Sequence, residues 1–205
     1  MTRTELPAPV VLGAAYLAGS IPFSHLVAQR VRGVDLRTVG SGTVSGTGVF
    51  RSVGFAAGLG AGIADLLKGS VGPSLAGRHR PYLAAAAGGL GVAGHNWSPF
   101  LRGAGGRGIS TAMGAMWPTT PVGSGLLLTG LAVGRGLGES AVGCLIADVA
   151  LVPVSRLVGG PEAAAAAGAV VVPMLAKRVA GNGPAPTPRW RTRIWRLLLD
   201  RDSRI

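Results

Sequence analysis

The chain has 205 residues, 48% of them hydrophobic and only 14% charged, with 35 glycines. A water-soluble domain carries about 25% charged residues and about 7% glycine, so an ordinary soluble globule is excluded. The net charge of +12 sits between and after apolar runs, and aromatic residues are only 5%; that pattern fits positive-inside anchors and leaves little stacking surface for a nucleic acid.

Apolar runs follow one another at residues 9–28, 53–76, 82–101, 109–133, 140–158 and 163–176. A bilayer span needs about 20 residues at 1.5 Å rise, so most are long enough and the last is short. The first, after Arg3, reads as a span and not as a cleaved leader, because the rest of the chain is equally apolar. Trp117-Pro118-Thr119-Thr120-Pro121 interrupts the fourth run and should break a helix there. Gly54, Gly58 and Gly62 recur every four residues, a small-residue stripe for helix packing. Residues 84–89 and 163–167 offer similar smooth faces.

Three basic segments fix an orientation: Arg30, Arg32, Arg37 and Arg51; Arg102 and Arg107; and Lys177, Arg178, Arg189, Arg191, Arg193, Arg196, Arg201 and Arg204. All three belong on the cytoplasmic side, which puts the N-terminus outside. An even number of crossings must separate residues 107 and 177, yet three apolar runs lie there. A split at Trp117–Pro121 gives seven spans, and a re-entrant run gives five. The expected fold is an all-α polytopic membrane protein of about seven spans, with five as the alternative. Residues 1–180 form one helical domain. Residues 181–205 form a Pro/Gly linker over 181–188 and a basic interfacial tail.

Two loops carry the ingredients of an anion site. Residues 40–51, GSGTVSGTGVFR, combine glycines that let N–H groups converge on an anion, hydroxyl donors and a terminal arginine able to grip a phosphate in bidentate fashion. Alone, this stretch fits a solvated connector equally well. Residues 94–111, GHNWSPFLRGAGGRGIST, repeat the recipe, with Ser110 and Thr111 opening the next helix. The spacing is not that of a P-loop. Two such loops on one face favour a phosphate cradle. His95 is a candidate base, although a structural, hydrogen-bonded histidine is the favoured reading. Asp65 and Lys68, three apart on one helix face, form an ion pair inside a span. Asp148 has no cation near it in sequence and should face the bundle interior. The single cysteine, Cys144, permits no intrachain disulfide and reads as a small buried residue.

Together with GSIPFSHLVA (19–28) and ADLLKG (64–69), the two loops resemble, in order and spacing, the acyl-phosphate-dependent glycerol-3-phosphate acyltransferases of bacterial membranes, the PlsY family. The resemblance covers residues 19–111. It implies seven spans in the cell (inner) membrane, an outside N-terminus and an active cytoplasmic face. It also implies attack of the glycerol 3-phosphate 1-hydroxyl on an acyl phosphate, yielding lysophosphatidic acid and phosphate, by a monomer needing no metal, cofactor or coenzyme A thioester. The family lacks the H-x-x-x-x-D motif of other glycerolipid acyltransferases. Here, too, Arg30, Ala84 and Phe100 stand five residues after His25, His79 and His95.

By this resemblance Ser41, Gly42, Thr47, Arg51, Gly105, Gly106, Arg107, Gly108, Ser110 and Thr111 bind phosphates, and Asp65, Lys68 and Asn96 support them. Several positions depart from the family pattern. Thr43 and Gly48 stand in place of asparagines, and Ser45-Gly46 in place of Gly-Ala. Ala104 and Arg107 stand in place of lysines, and Ser140 is the nearest match to a serine-rich third motif. Trp190 and Arg193 align with a C-terminal His and Asn. These departures leave open a non-catalytic relative that partners lipid enzymes, or an enzyme with another acceptor. A transporter is disfavoured because no inverted repeat is visible.

Overall fold

The structure, a computed structural model, describes residues 5–183 and 188–200. Arg3, Arg201, Arg204 and the middle of the expected linker, residues 184–187, lie outside the described residues. The regular secondary structure of the described residues is helical: α1 (Ala8–Ser20), α2 (Phe23–Arg32), α3 (Gly46–Ser52), α4 (Phe55–Ala76), α5 (Pro81–Asn96), α6 (Ile109–Met116), α7 (Pro121–Gly136), α8 (Ser140–Ala180) and α9 (Arg189–Leu199), with one 3-10 turn at Pro99–Leu101.

The first apolar run is broken in two. Pro22 has no N–H to donate and drives the residue before it into extended backbone; Ile21 sits at φ −61°, ψ 118°. The carbonyls freed by the break find side-chain donors. Ser98 Oγ donates to Ser20 O at 2.6 Å, and Lys68 Nζ donates to Ile21 O at 2.6 Å. Trp117–Pro121 breaks the fourth run as expected: α6 ends at Met116 and α7 begins at Pro121.

Helix α8 is really two arms. Gly160, at φ 71°, ψ −161°, has left helical geometry. A straight helix would hold Ala141 and Arg178 about 55 Å apart at 1.5 Å per residue. Instead the Arg178 guanidinium donates to the Ala141 carbonyl, so the arms fold back as a hairpin. Four helical segments therefore separate Arg107 from Lys177. The second arm reaches Ala180, so the last apolar run is longer than its sequence signal.

Glycines let the helices touch backbone to backbone. A Cβ on Gly19 of α1 would lie 2.0 Å from the Gly91 carbonyl of α5, and one on Gly114 of α6 would lie 1.8 Å from the Leu66 carbonyl of α4. The expected α4 stripe is only partly intrahelical. Gly58 and Gly62 receive α3, but Gly54 caps the helix from outside, at φ 136°, because the chain must turn sharply between α3 and α4. Gly89, at the end of the first smooth face, packs on Ala169 of α8, two residues beyond the second.

The polarity of the bundle is inverted relative to a soluble core. Leu59, Ile63 and Leu67 form an exposed apolar stripe on the outside of α4, and Leu157 is 86% exposed. Inside lie Ser24, Asp65, Lys68, His95, Asn96, Asp148 and Lys177, all buried. Such a surface is tolerated when lipid covers it, and charged groups then face the interior and pair.

Candidate functional site

The first loop is folded, not a slack connector. Leu36, Val44 and Val49 are buried with Ala61 of α4, which pins the chain at intervals. At its start the Arg37 guanidinium grips both carboxylate oxygens of Asp35, at 2.7–3.2 Å. Those hydrogen bonds hold the Asp35 carboxyl down at about 2. Gly42, at φ 66°, supplies the turn, Ser41 Oγ donates to Thr43 Oγ1 at 2.9 Å, and Ser45 caps α3 by accepting from the Gly48 N–H at 3.3 Å. Beyond the cap, Thr47 and Arg51 project from α3.

The second loop folds back on the end of α5. Gly106 donates its N–H to the His95 carbonyl at 3.2 Å, and Val44 of the first loop donates to Gly105 O at 3.1 Å. A Cβ on Gly106 would fall 2.1 Å from His95 Nε2, so only glycine fits there. The two loops are therefore bonded directly to each other.

Between them lies a cavity of about 890 Å³. Ser41, Gly42, Thr47, Arg51, Arg107, Gly108 and Ser110 line it, with Asp65 and His95 at its floor. The expected residues Gly105, Gly106 and Thr111 stand behind this wall. The N–H groups of the two glycines are already donated, to Asn182 and to His95, and Thr111 is fully buried. Asn96 is also behind it, donating to Pro173 O at 2.8 Å.

Under the floor, the expected Asp65–Lys68 pair is present at 2.8 Å. Ser24 Oγ donates to the other Asp65 oxygen at 2.7 Å, and His95 Nδ1 lies 3.8 Å from Asp65. A His–carboxylate pair thus exists in space that no local spacing announces. Asp148, which has no cation near it in sequence, has one in the fold: Arg178 lies 3.7 Å away across the α8 hairpin.

Sequence reasoning missed the rest of the wall: Glu139, Arg178, Asn182, Arg196 and Asp200, beside the expected Ser140. Trp190 and Arg193, aligned with the family's C-terminal pair, are absent from the cavity, and Trp190 is exposed. The asparagine that reaches the loops is Asn182. Its only sequence signal was the Gly181-Asn182 helix stop after an apolar run.

Five arginines and four carboxylates line the cavity. Arg37, Arg107 and Arg178 are paired with Asp35, Asp200 and Asp148, and Arg196 is bonded to the carbonyls of Ala180 and Gly183. The Arg51 side chain has no partner among the described residues. Also among the described residues, no group of three His, Cys, Asp or Glu side chains is placed to hold a metal ion.

Residues 9–181 match the family model described as glycerol-3-phosphate acyltransferase. A glycerol-3-phosphate acyltransferase of Desulforudis audaxviator is 40% identical over 115 residues, 55% of this chain and 58% of that protein. One from Thermus thermophilus is 35% identical over 148 residues, 67% of this chain and 73% of that protein. The aligned region is thus a little over half the length of the first relative.

The fold resembles the crystal structure of PlsY (YgiH), an integral membrane glycerol 3-phosphate acyltransferase, in its glycerol 3-phosphate form. The TM-score is 0.77 at 27% identity, over 97% of this chain and 95% of that one. Its lysophosphatidic acid form gives a TM-score of 0.75 at 25% identity over the same shares. The inverted polarity and these neighbours make this a helical membrane protein, and the chain belongs to the glycerol-3-phosphate acyltransferase family.

Proposed function

We propose that the chain is a membrane acyltransferase that moves a fatty acyl group from acyl phosphate to the 1-hydroxyl of glycerol 3-phosphate, releasing lysophosphatidic acid and inorganic phosphate. The observation that carries this reading is the placement of Arg51, unpartnered among the described residues, in one cavity with Arg107 and the hydroxyls of Ser41, Thr47 and Ser110. Arginines and hydroxyls converging on one space suit phosphate dianions.

In this reading Arg51 and Arg107 bind phosphate groups, and the hydroxyls and Gly42 and Gly108 complete the cradle. Gly105, Gly106, Thr111, Asn96 and Lys68 act from behind, as supports. The glycerol hydroxyl oxygen bonds to the acyl carbon, and the carbon–phosphate oxygen bond breaks with its electron pair leaving on phosphate. The hydroxyl proton goes to the departing phosphate, whose second pKa is about 6 in phosphate esters. His95 is assigned a positioning role. Its ring is buried between Asp65 and the backbone of Gly106, so it braces the second loop.

The same reading gives seven membrane segments: α1 with α2, α4, α5, α6, α7 and the two arms of α8. At 8 residues, α6 spans about 12 Å, so it crosses only part of the bilayer. The N-terminus lies outside, the cavity opens to the cytoplasmic face of the cell membrane, and the monomer is the working unit, without metal or cofactor.

The test is formation of lysophosphatidic acid by membranes or purified protein given acyl phosphate and glycerol 3-phosphate. Activity above that of empty membranes is expected. None, with the protein verified as folded, overturns the assignment.

A further inference from the structure

The matched family region ends at residue 181, yet the chain beyond it returns to the cavity twice. Asn182 is the first return. Its Oδ1 accepts the Gly105 N–H at 3.1 Å, and its Nδ2 donates to Gly105 O at 2.9 Å and to Gly42 O at 2.8 Å. Both polar atoms of one side chain are thus committed, and they join the two loops.

The second return runs through α9. The end of α8 leaves carbonyls without helical donors; Arg196 donates to one of them, Ala180 O, and to the Gly183 carbonyl just beyond the helix. That fastens α9 across the helix end. One turn further on, Asp200 takes left-handed backbone at φ 54°, which closes α9 and brings its carboxylate to 2.5 Å from Arg107 Nε. Arg107 Nη1 donates to Lys177 O at 3.0 Å. The guanidinium is therefore held at two points, Nε and Nη1. A planar fork fixed in this way presents its remaining N–H groups in a single direction, which a lysine could not do.

We infer that Asn182 and Asp200 are positioning residues of the phosphate site: Asn182 sets the spacing of the two loops, and Asp200 sets the plane of Arg107. The C-terminal segment is then a working part of the cavity. The inference takes its ligand from the acyltransferase reading, but its geometry stands without it.

The variants are Asn182→Asp, Asp200→Ala, Asp200→Asn and Arg107→Lys, with Arg107→Lys/Asp200→Ala as the double. Thermal melts of the full chain in detergent identify those that fold. Aspartate at 182 keeps the acceptor for the Gly105 N–H and loses both donations. Amide hydrogen exchange over residues 42–44 and 103–107 should then speed up in both loops together. Acceleration in one loop only, or in neither, overturns the spacing role.

For Asp200→Ala the KM for glycerol 3-phosphate should rise about tenfold, as expected for a weakened charge-assisted contact, with a smaller fall in kcat. Asp200→Asn keeps an acceptor for Arg107 Nε and should recover part of the loss. In the Arg107→Lys background the Asp200→Ala effect should vanish. A KM that falls in both Asp200 variants shows the carboxylate competing with phosphate, and an undiminished effect beside Lys at 107 shows it acting elsewhere; either overturns the inference. If the wild-type protein turns over no acyl phosphate, equilibrium binding of glycerol 3-phosphate replaces KM. That failure counts against the proposed activity and leaves the exchange and binding results to decide the positioning roles.

Discussion

Lys68 Nζ lies 2.8 Å from Asp65 Oδ1 and donates to the carbonyl of Ile21 at 2.6 Å. One ammonium therefore neutralises a buried carboxylate and satisfies the backbone freed where Pro22 breaks the first apolar run. The pair ties the Ile21-Pro22 break to the cavity floor, where Asp65 meets Ser24 and His95. Removing one partner should be much worse than removing both. Asp65→Leu leaves a buried cation and should cost about 3–5 kcal/mol, whereas Asp65→Leu/Lys68→Met should recover most of that loss. Chemical unfolding in detergent micelles measures both. A double variant no more stable than the single would show that the pair does not act as a unit.

Arg51 is the cation to remove first. If Arg51 binds phosphate as proposed, Arg51→Ala should raise the KM for one phosphate substrate about 10- to 100-fold, the range for a charge-assisted contact of about 1.5–3 kcal/mol. Arg51→Lys should fall between, because it keeps charge and loses the fork. Steady-state kinetics with each substrate varied in turn identifies which phosphate Arg51 holds. An unchanged KM for both would remove it from the site.

His95 separates proton transfer from support. A general base contributes about 10²–10⁴ in rate, so its loss would lower kcat by that factor. Acting as a brace, His95→Gln should keep kcat within about tenfold of wild type, below that range, with the larger change in thermal stability. A fall of about a thousandfold in kcat, in a protein that melts normally, would make His95 the base.

Close packing of α4 on α6 gives a prediction independent of activity. Gly114→Ala places a Cβ 1.8 Å from the Leu66 carbonyl and should cost about 1–3 kcal/mol by forcing the helices apart. Gly168→Ala is the matched control: its Cβ meets nothing within 4 Å, and alanine favours a helix over glycine by about 0.5–1 kcal/mol. The first melt should fall and the second should hold or rise.

The Asp35–Arg37 clamp sets a pH window. Because Arg37 lowers the folded pKa from 3.8 to about 2, the clamp's contribution is complete above 3.8 and is lost as pH falls through about 2. Solvent screening limits it to about 0.2–1 kcal/mol. An NMR titration of the Asp35 carboxyl in micelles should show its midpoint near 2, and Arg37→Ala should move it back toward 3.8. An unmoved midpoint would mean that the clamp is not formed.

The sequence by itself determined the helical membrane class, the break at Trp117–Pro121, the Asp65–Lys68 pair and the two Gly/Arg loops. Each of these is local: composition, a proline, an i,i+3 spacing or a run of glycines acts within a few residues. The tertiary structure decided what depends on distant approach. The glycine kink at Gly160 folds α8 back on itself, and only that fold sets Arg178 beside Asp148. The return of the chain after α8 puts Asn182 between Gly42 and Gly105, and α9 carries Asp200 to Arg107. Gly105, Gly106 and Thr111 are of residue types that suit an anion, but in the fold the two glycine N–H groups are already donated and Thr111 is fully buried. Residue type sets what a side chain can bind. Burial and prior hydrogen bonds set what it still has free, and those depend on the whole fold.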